Sequence, residues 1–313
     1  MTCFNEGAYI ETAVQSVLSQ TASNRIQKIV IADDGSAEDT ISVLKRLESR
    51  DDRIEVIYGQ GGIGVAGNRN MAAARCDTEF VAILDGDDIW EPQKMAVQLA
   101  KFEEDRSVGL VYTGFYLFPG NDLRVARKAR VIDITIARDL SRAYFLNDPP
   151  IIPSTIVLRR SAFEAIGGFD ATIKVFEDTD FYLRLSRICR FGFCEEPLIY
   201  KRNRGTSITG GSVDLMAHHA FVAFRFAAVE PKFLTLVPKR LAERARKLGN
   251  HNIFLGNLPT ARRHLELAVK LDRWNMMARA TWLAFRFAPG LASSMFKSLL
   301  APRRDALGSN SHA

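Results

Sequence analysis

Cysteine is sparse in this 313-residue chain: Cys3, Cys76, Cys189 and Cys194 form no CxxC pair and no spacing that suits a zinc ribbon or a disulfide framework. A reducing, cytoplasmic compartment is the expectation. The five histidines form no ligand cluster, and the adjacent His218 and His219 point apart on a helix. No uninterrupted apolar run reaches the roughly 18 to 20 residues that span a bilayer, and no charged-then-apolar leader opens the sequence. The expectation is therefore a protein neither exported nor integral to a membrane. Acids are scarce at one end only. Residues 231–313 carry 15 Lys and Arg against 4 Asp and Glu, whereas residues 1–230 carry 27 against 32. These cations are interleaved with Trp282, Phe285, Phe287, Leu291, Met295, Phe296 and Leu299. That mixture suits an interfacial helix on an anionic membrane surface better than a nucleic-acid arm, and an ordinary solvated helical face would show it equally. No nucleic-acid partner is expected.

What the chain does have is alternation. "YIETAVQSVLSQ" repeats apolar residues at helical spacing, "KIVIADDGS" is a β-branched run ending in acids, and "AEDTISVLKRLESR" returns to helical spacing. "IEVIYG", "GVAGNRNMAAARC" and "FVAILDGDD" repeat the order strand, helix, strand. Such alternation predicts an α/β fold with a mainly parallel sheet covered by helices on both faces. From about residue 213 the pattern is helical, and "AERARKLGNHNIFLGNLPTARRHLELAVKLDRWN" reads as a helix, a short turn and a helix. The expected organisation is a catalytic domain over 1–212 and a basic, helical C-terminal region over 213–313.

In open α/β sheets ligands gather beyond the carboxyl ends of the strands. The acids after "KIVIA" and "FVAIL" should therefore face one crevice. Asp85, Asp87 and Asp88 crowd four positions, and carboxylates so close repel one another unless a cation is shared. DDGS alone reads equally well as a turn. The acids opening "EDTDFYLRLSRIC" could serve merely to oppose the positive end of a helix.

The ordered motifs "TCFNEGAYIETAVQSVLSQT", "IADDGSAEDT", "GGIGVAGNRNMAAA", "AILDGDDIWEP", "RRSAFEAIGGFD" and "FEDTDFYLRL" resemble the family 2 glycosyltransferases, inverting enzymes of the Rossmann-like GT-A fold. The resemblance runs over residues 1 to about 210. It implies transfer of a sugar from a nucleotide-diphosphate donor to a hydroxyl of a saccharide or lipid-linked acceptor, in surface polysaccharide or glycolipid synthesis, at the inner face of the plasma membrane. Asp85 and Asp87 match the Asp-x-Asp motif, with Asp87 a ligand to Mg²⁺ or Mn²⁺ and Asp85 nearer the ribose; Asp88 is left between direct and water-mediated ligation. Few protein ligands are expected, because such ions keep waters and take phosphate oxygens. Asp34 and Thr2 match positions that meet the base, and an acceptor-only carboxylate favours the imide of UDP or dTDP. Asp178 matches the general base, Glu177 an acceptor-side residue, and Trp90 either a wall against the sugar or a packing residue beneath the site.

Three departures from the family pattern stand out. Members carry a whole strand before the residue matched by Thr2, which leads to the expectation that Met1 is internal to a longer natural chain. Gly67 stands where an arginine often precedes Asn68, and the arginine here is Arg69. Asn203 stands where a histidine is common, leaving Arg202 or Arg204 to compensate. Three other readings are open. The motif "LDGDD" also resembles haloacid-dehalogenase-like phosphatases, although four βα elements precede it here. A sugar nucleotidyltransferase would need a Gly-rich phosphate loop that "TCFNEGAYI" lacks. A degenerate, non-catalytic domain could scaffold a membrane assembly.

Overall fold

The computed structural model describes residues 1–204 and 215–287. They fall into two units, one ending at His218 and one beginning at His219. The first contains β1 (Thr2–Cys3), α1 (Ile10–Leu18), β2 (Ile29–Asp33), α2 (Glu38–Glu48), β3 (Ile54–Tyr58), α3 (Gly64–Ala73), β4 (Phe80–Ala82), β5 (Ile89–Trp90) and α4 (Lys94–Glu104). These are followed by β6 (Val108–Pro119), β7 (Arg127–Lys128), α5 (Leu140–Asn147), β8 (Val157–Arg159), α6 (Arg160–Ala165), α7 (Glu177–Leu185) and β9 (Arg190–Asn203).

The helices form where the apolar period is 3.6. Helix α1 buries Ile10, Ala13, Val14 and Val17, one stripe at i, i+3, i+4 and i+7. Each Val or Ile so buried contributes ~1.5–3 kcal/mol relative to an exposed one. Strand β2 is buried at all five positions, as a strand covered on both faces must be. Strands β1, β2 and β3 pair in parallel in that order. The parallel character expected from the first third holds there. The second sheet, in order β4-β8-β6-β9-β5 with β7 on β6, is mixed: only β6 and β9 pair in parallel, and its other pairs are antiparallel. The connection from β6 to β9 contains α5, α6 and α7, the helical crossover that a parallel pair requires, whereas β8 runs antiparallel to both of its neighbours, β4 and β6.

Residues 2 and 84–85 join the two sheets. Thr2 N donates to the Leu84 carbonyl at 3.3 Å, and Thr2 bridges Asp85 in parallel. N-terminal to that junction lies a cavity of about 270 Å³, bounded by Ile29 and Val30 on one side and Phe80 to Leu84 on the other, with Met1 at its end.

The second unit contains α9 (Val237–Leu255), α10 (Leu258–Leu271) and α11 (Met276–Phe287), while α8 (Leu215–Val229) crosses the division. Gly256, at φ 79°, ends α9 in the left-handed conformation that favours glycine and turns the chain into α10. Helices α9 and α10 approach so closely that a Cβ on Gly249 would lie 2.8 Å from Leu265 Cδ2. Ile253, Ala261, Leu265 and Phe285 form a small core with Trp282 packed on it. No described helix is long and apolar enough to cross a membrane. The expected boundary at 212/213, and Leu291, Met295, Phe296 and Leu299 of the basic tail, lie outside the described residues.

Candidate active site

The strand ends converge on the loop Asp85–Asp88. Gly86 lies in the middle of it because a side chain there has no room: its Cβ would run into Glu6 Oε2 and come within 2.7 Å of the Thr2 carbonyl. The three aspartates have different surroundings. Asp85 Oδ1 accepts from Arg69 Nη2 at 2.8 Å and from Thr2 Oγ1 at 3.3 Å. Burial pushes its carboxyl up, but Arg69 outweighs burial and the net shift is downward. Asp87 Oδ2 pairs with Arg204 Nε at 2.7 Å, yet burial and Asp85 together raise it. Asp88 is 2% exposed and accepts from Ser154 Oγ at 2.6 Å and the Arg202 N–H at 3.0 Å. Burial, then Asp85 and Asp87, pushes its carboxyl up to about 7. With both oxygens engaged, Asp88 fastens the loop to β9 and to residues 153–155.

Helix α7 brings a second pair of acids. Phe176 precedes it at φ 65°, a left-handed backbone that costs ~1–3 kcal/mol in a residue with a side chain and that sets the direction from which Glu177 and Asp178 enter. Glu177 Oε1 accepts from Arg69 Nη1 at 2.8 Å. Arg69 is 4% exposed, bridges Asp85 to Glu177, and lies over the Phe169 ring at 5.3 Å. One guanidinium thus ties the DGD loop to the start of α7. Asp178 is half-buried and accepts from the Thr179 N–H at 2.7 Å. Burial, then Glu177, raises its carboxyl to about 7 against the pull of Arg69. Lys201 on β9 lowers the carboxyls of Asp85, Asp87, Asp88 and Asp178.

The acids after β2 divide their work. Asp33, fully buried, accepts from the Gly35 and Ser36 N–H groups at 3.0 Å each and from Ser36 Oγ, which closes the turn. Asp34 accepts from the Ile63 and Gly64 N–H groups at 3.2 and 3.0 Å, at the amino end of α3. Both of its oxygens therefore hold the loop before α3. Trp90 is 5% exposed, its indole N–H donates to the Ser154 carbonyl at 3.1 Å, and Lys94 Nζ lies 4.0 Å from the ring centre. It packs beneath the loop and offers no open face to a sugar.

Arg202 and Arg204 take separate parts. Arg202 donates to the carbonyls of Asp87 and Gly120 and to Asn121 Oδ1, and lies over the Tyr9 and Phe118 rings. Arg204 bridges Asp87 and Glu6, each at 2.7 Å. Among the described residues no three His, Cys, Asp or Glu side chains converge as a complete metal cage. The donor set still fits Mg²⁺ or Mn²⁺: the side chains of Asp87 and Asp85, 13 and 23% exposed, offer hard oxygens, the Arg204 guanidinium already lies on Asp87, and these ions need few protein ligands.

Thr2, Asp85 and Glu177 are joined directly or through Arg69, and Asp178 follows Glu177 on the same turn. Glu6 and the bridging role of Arg69 were not read from the sequence. Arg69 shares the buried face of α3 with Ala66 and Ala73 at i, i+3 and i+7. A lone charge on an apolar helical face was the available signal.

The profile of Glycosyl transferase family 2 matches residues 1–167, more than half of the chain. The chain belongs to this family. Its fold is that of the GT-A glycosyltransferases. The Bacillus subtilis (strain 168) protein TuaG, named as a teichuronic acid biosynthesis glycosyltransferase, is 39% identical over 114 residues, 36% of this chain and 44% of that protein. The match thus spans less than half the length of that relative. Among solved structures, S. aureus TarS 1–349 in complex with UDP-GlcNAc superposes with a TM-score of 0.64 at 18% identity, covering 91% of this chain and 90% of that one. The mannosyltransferase PcManGT from Pyrobaculum calidifontis, in complex with GDP-Man and Mn²⁺, gives 0.56 at 17% identity over 96% and 85%. At these identities the superpositions show the GT-A fold alone.

Proposed function

We propose that the protein is an inverting, metal-assisted glycosyltransferase that moves a sugar from UDP or dTDP to a hydroxyl of a saccharide or lipid-linked acceptor in surface polysaccharide or glycolipid synthesis. The observation that carries the reading is the Arg69 bridge, which holds Asp85 of the DGD loop and Glu177 of α7 within 2.8 Å of one guanidinium. Leaving-group chemistry and acceptor chemistry then have their acids in one place. In this reading Asp87, with Asp85, would hold Mg²⁺ or Mn²⁺, which when bound would supply positive charge to offset that of the diphosphate leaving group. Thr2, Asp34 and Asp85 face the nucleoside, Asp178 takes the proton of the attacking hydroxyl, and Glu177 orients the acceptor side. The UDP-GlcNAc complex of TarS supports the uracil preference, the Mn²⁺ complex of PcManGT supports the metal, and TuaG's name supports a role in a surface polymer. An acceptor presented at the inner face of the plasma membrane would suit the basic C-terminal unit.

Calorimetric titration with UDP, with and without Mn²⁺, tests the proposal. Binding that requires Mn²⁺ and disappears in Asp87→Ala is expected. Equal affinity with and without the ion would reject the metal-assisted reading, and hydrolysis of simple phosphomonoesters would favour the phosphatase. A panel of nucleotide sugars scored for donor hydrolysis then identifies the sugar.

A further inference from the structure

We infer that Glu6 is a further carboxylate of the cation site, and that the Arg204 guanidinium is a built-in occupant of that site which a divalent ion displaces. The inference rests on the nucleotide-sugar reading above and names a residue pair beyond it.

Glu6 lies in the loop after β1, Asp87 in the loop after β4, and Arg204 directly follows β9. Backbone geometry explains why Glu6 turns inward. Asn5 takes a left-handed φ of 53°, and the Glu6 carbonyl accepts from the N–H groups of Tyr9 and Ile10, so the residue is pinned to the start of α1. Its side chain, only 9% exposed, runs against Gly86, where a Cβ would strike Oε2. Oε1 meets Arg204 Nη2 at 2.7 Å, while Oε2 is buried without a hydrogen-bond partner. Burial, then Asp87, pushes the Glu6 carboxyl up against the pull of Arg204, so a buried Oε2 without a donor keeps its charge only where more positive charge is supplied.

The Arg204 guanidinium supplies part of it, beside Asp87. Arg204 Nε meets Asp87 Oδ2 at 2.7 Å, so two repelling carboxylates from different loops clasp one monovalent cation. Asp87 and the orphan oxygen of Glu6 are hard donors of the kind Mg²⁺ and Mn²⁺ prefer. A divalent ion on Asp87 and a guanidinium on the same carboxylate would repel each other at short range in a partly buried site. Ion entry and Arg204 departure are therefore one exchange, and the ion's apparent affinity is lowered by the need to evict the arginine. The alternative is a static Glu6–Arg204 pair that only fastens the end of β9 to α1.

The two differ in how the full chain binds Mn²⁺ without nucleotide, read at pH 8 by the loss of the free-ion electron paramagnetic resonance signal. Arg204→Gln is expected to bind Mn²⁺ about tenfold or more tightly than the wild type, and Glu6→Gln about tenfold more weakly. Thermal unfolding of each variant checks that the fold is retained. If Glu6→Gln fails to fold, Arg204→Gln alone decides. Unchanged Mn²⁺ affinity in Arg204→Gln overturns the inference. Wild-type protein that binds no UDP in the presence of Mn²⁺ fails the functional reading instead, so the two failures are distinguishable.

Discussion

A group that removes a proton from an alcohol at neutral pH works best when its own pKa lies near that pH. Asp178 meets the condition: burial, then Glu177, raises it to about 7, and Arg69 prevents a larger rise. Asp88 is raised as far, but its oxygens are committed to Ser154 and to the Arg202 N–H, so it has no role in proton exchange with an acceptor. Replacing Asp178 by Asn should leave Mn²⁺-dependent UDP affinity within about twofold and lower transfer by roughly 10²- to 10⁴-fold. In the wild type, transfer should climb with pH and level off above about 7, the range in which the carboxyl loses its proton. Stability has the opposite dependence. A folded pKa above the unfolded one means that this carboxyl's stabilising contribution is complete below the unfolded value, near 3.8, and is lost as pH rises through about 7. The Asn variant should therefore melt higher than the wild type at pH 8, with the difference shrinking toward pH 5. Undiminished turnover would remove Asp178 from the role.

At the scale of elements, α11 and the turn before it present Trp274, Met276, Met277, Leu283 and Phe287 to solvent, at 72, 73, 62, 42 and 77% exposure, while Trp282 and Phe285 face the small core. Arg273, Arg279 and Arg286 lie among them, with Arg273 stacked on Trp274 and Arg286 on Trp282. Exposed aromatics ringed by cations suit the interface of an anionic bilayer, where each Arg contributes ~1 kcal/mol near the surface. Co-sedimentation with vesicles containing anionic lipid should be salt-sensitive and should fall about tenfold or more in the Leu283→Glu/Phe287→Glu double variant. Equal binding of variant and wild type would leave α11 as an ordinary solvated helix. Elements of this kind were legible from the sequence, because helical period and strand alternation are local. The DGD loop and the Glu177–Asp178 pair were legible for the same reason. The pairing of β6 with β9 was not: register shifts interrupt it at Val108/Leu110 and on either side of Gly114, and the partners lie some eighty residues apart. The Arg69 bridge and the Glu6–Arg204 clasp were hidden too, since Glu6 and Arg204 meet across 198 positions.

At the scale of the whole molecule, the junction between the two sheets carries the least material. Strand β1 is two residues long, yet among the described residues it is the only strand between β2 and residues 84–85. The Met1 amine donates to the Val30 carbonyl at 2.6 Å, and the Met1 carbonyl accepts from Ala32 at 2.9 Å, so the chain enters in parallel register with β2 and points back along the cavity beside Ile29 and Val30. Burial lowers the Met1 amine to about 6. Four alternating apolar residues fused to Met1 would span ~13 Å, enough to run the length of β2 upstream of Met1. Two inward side chains would add ~1.5–3 kcal/mol each, and the ladder would gain paired edges. The fused protein should melt at least about 5 °C higher than the unextended one at pH 8, while a Gly-Ser extension of equal length should leave the midpoint unchanged. The gap between either extended protein and the unextended one should widen on acidification. An amine whose folded pKa is depressed gives its full contribution above the unfolded value, near 8, and loses it as pH falls through about 6, and either extension removes that loss. Equal midpoints for apolar and Gly-Ser extensions would mean that the two sheets close on each other without an intervening strand.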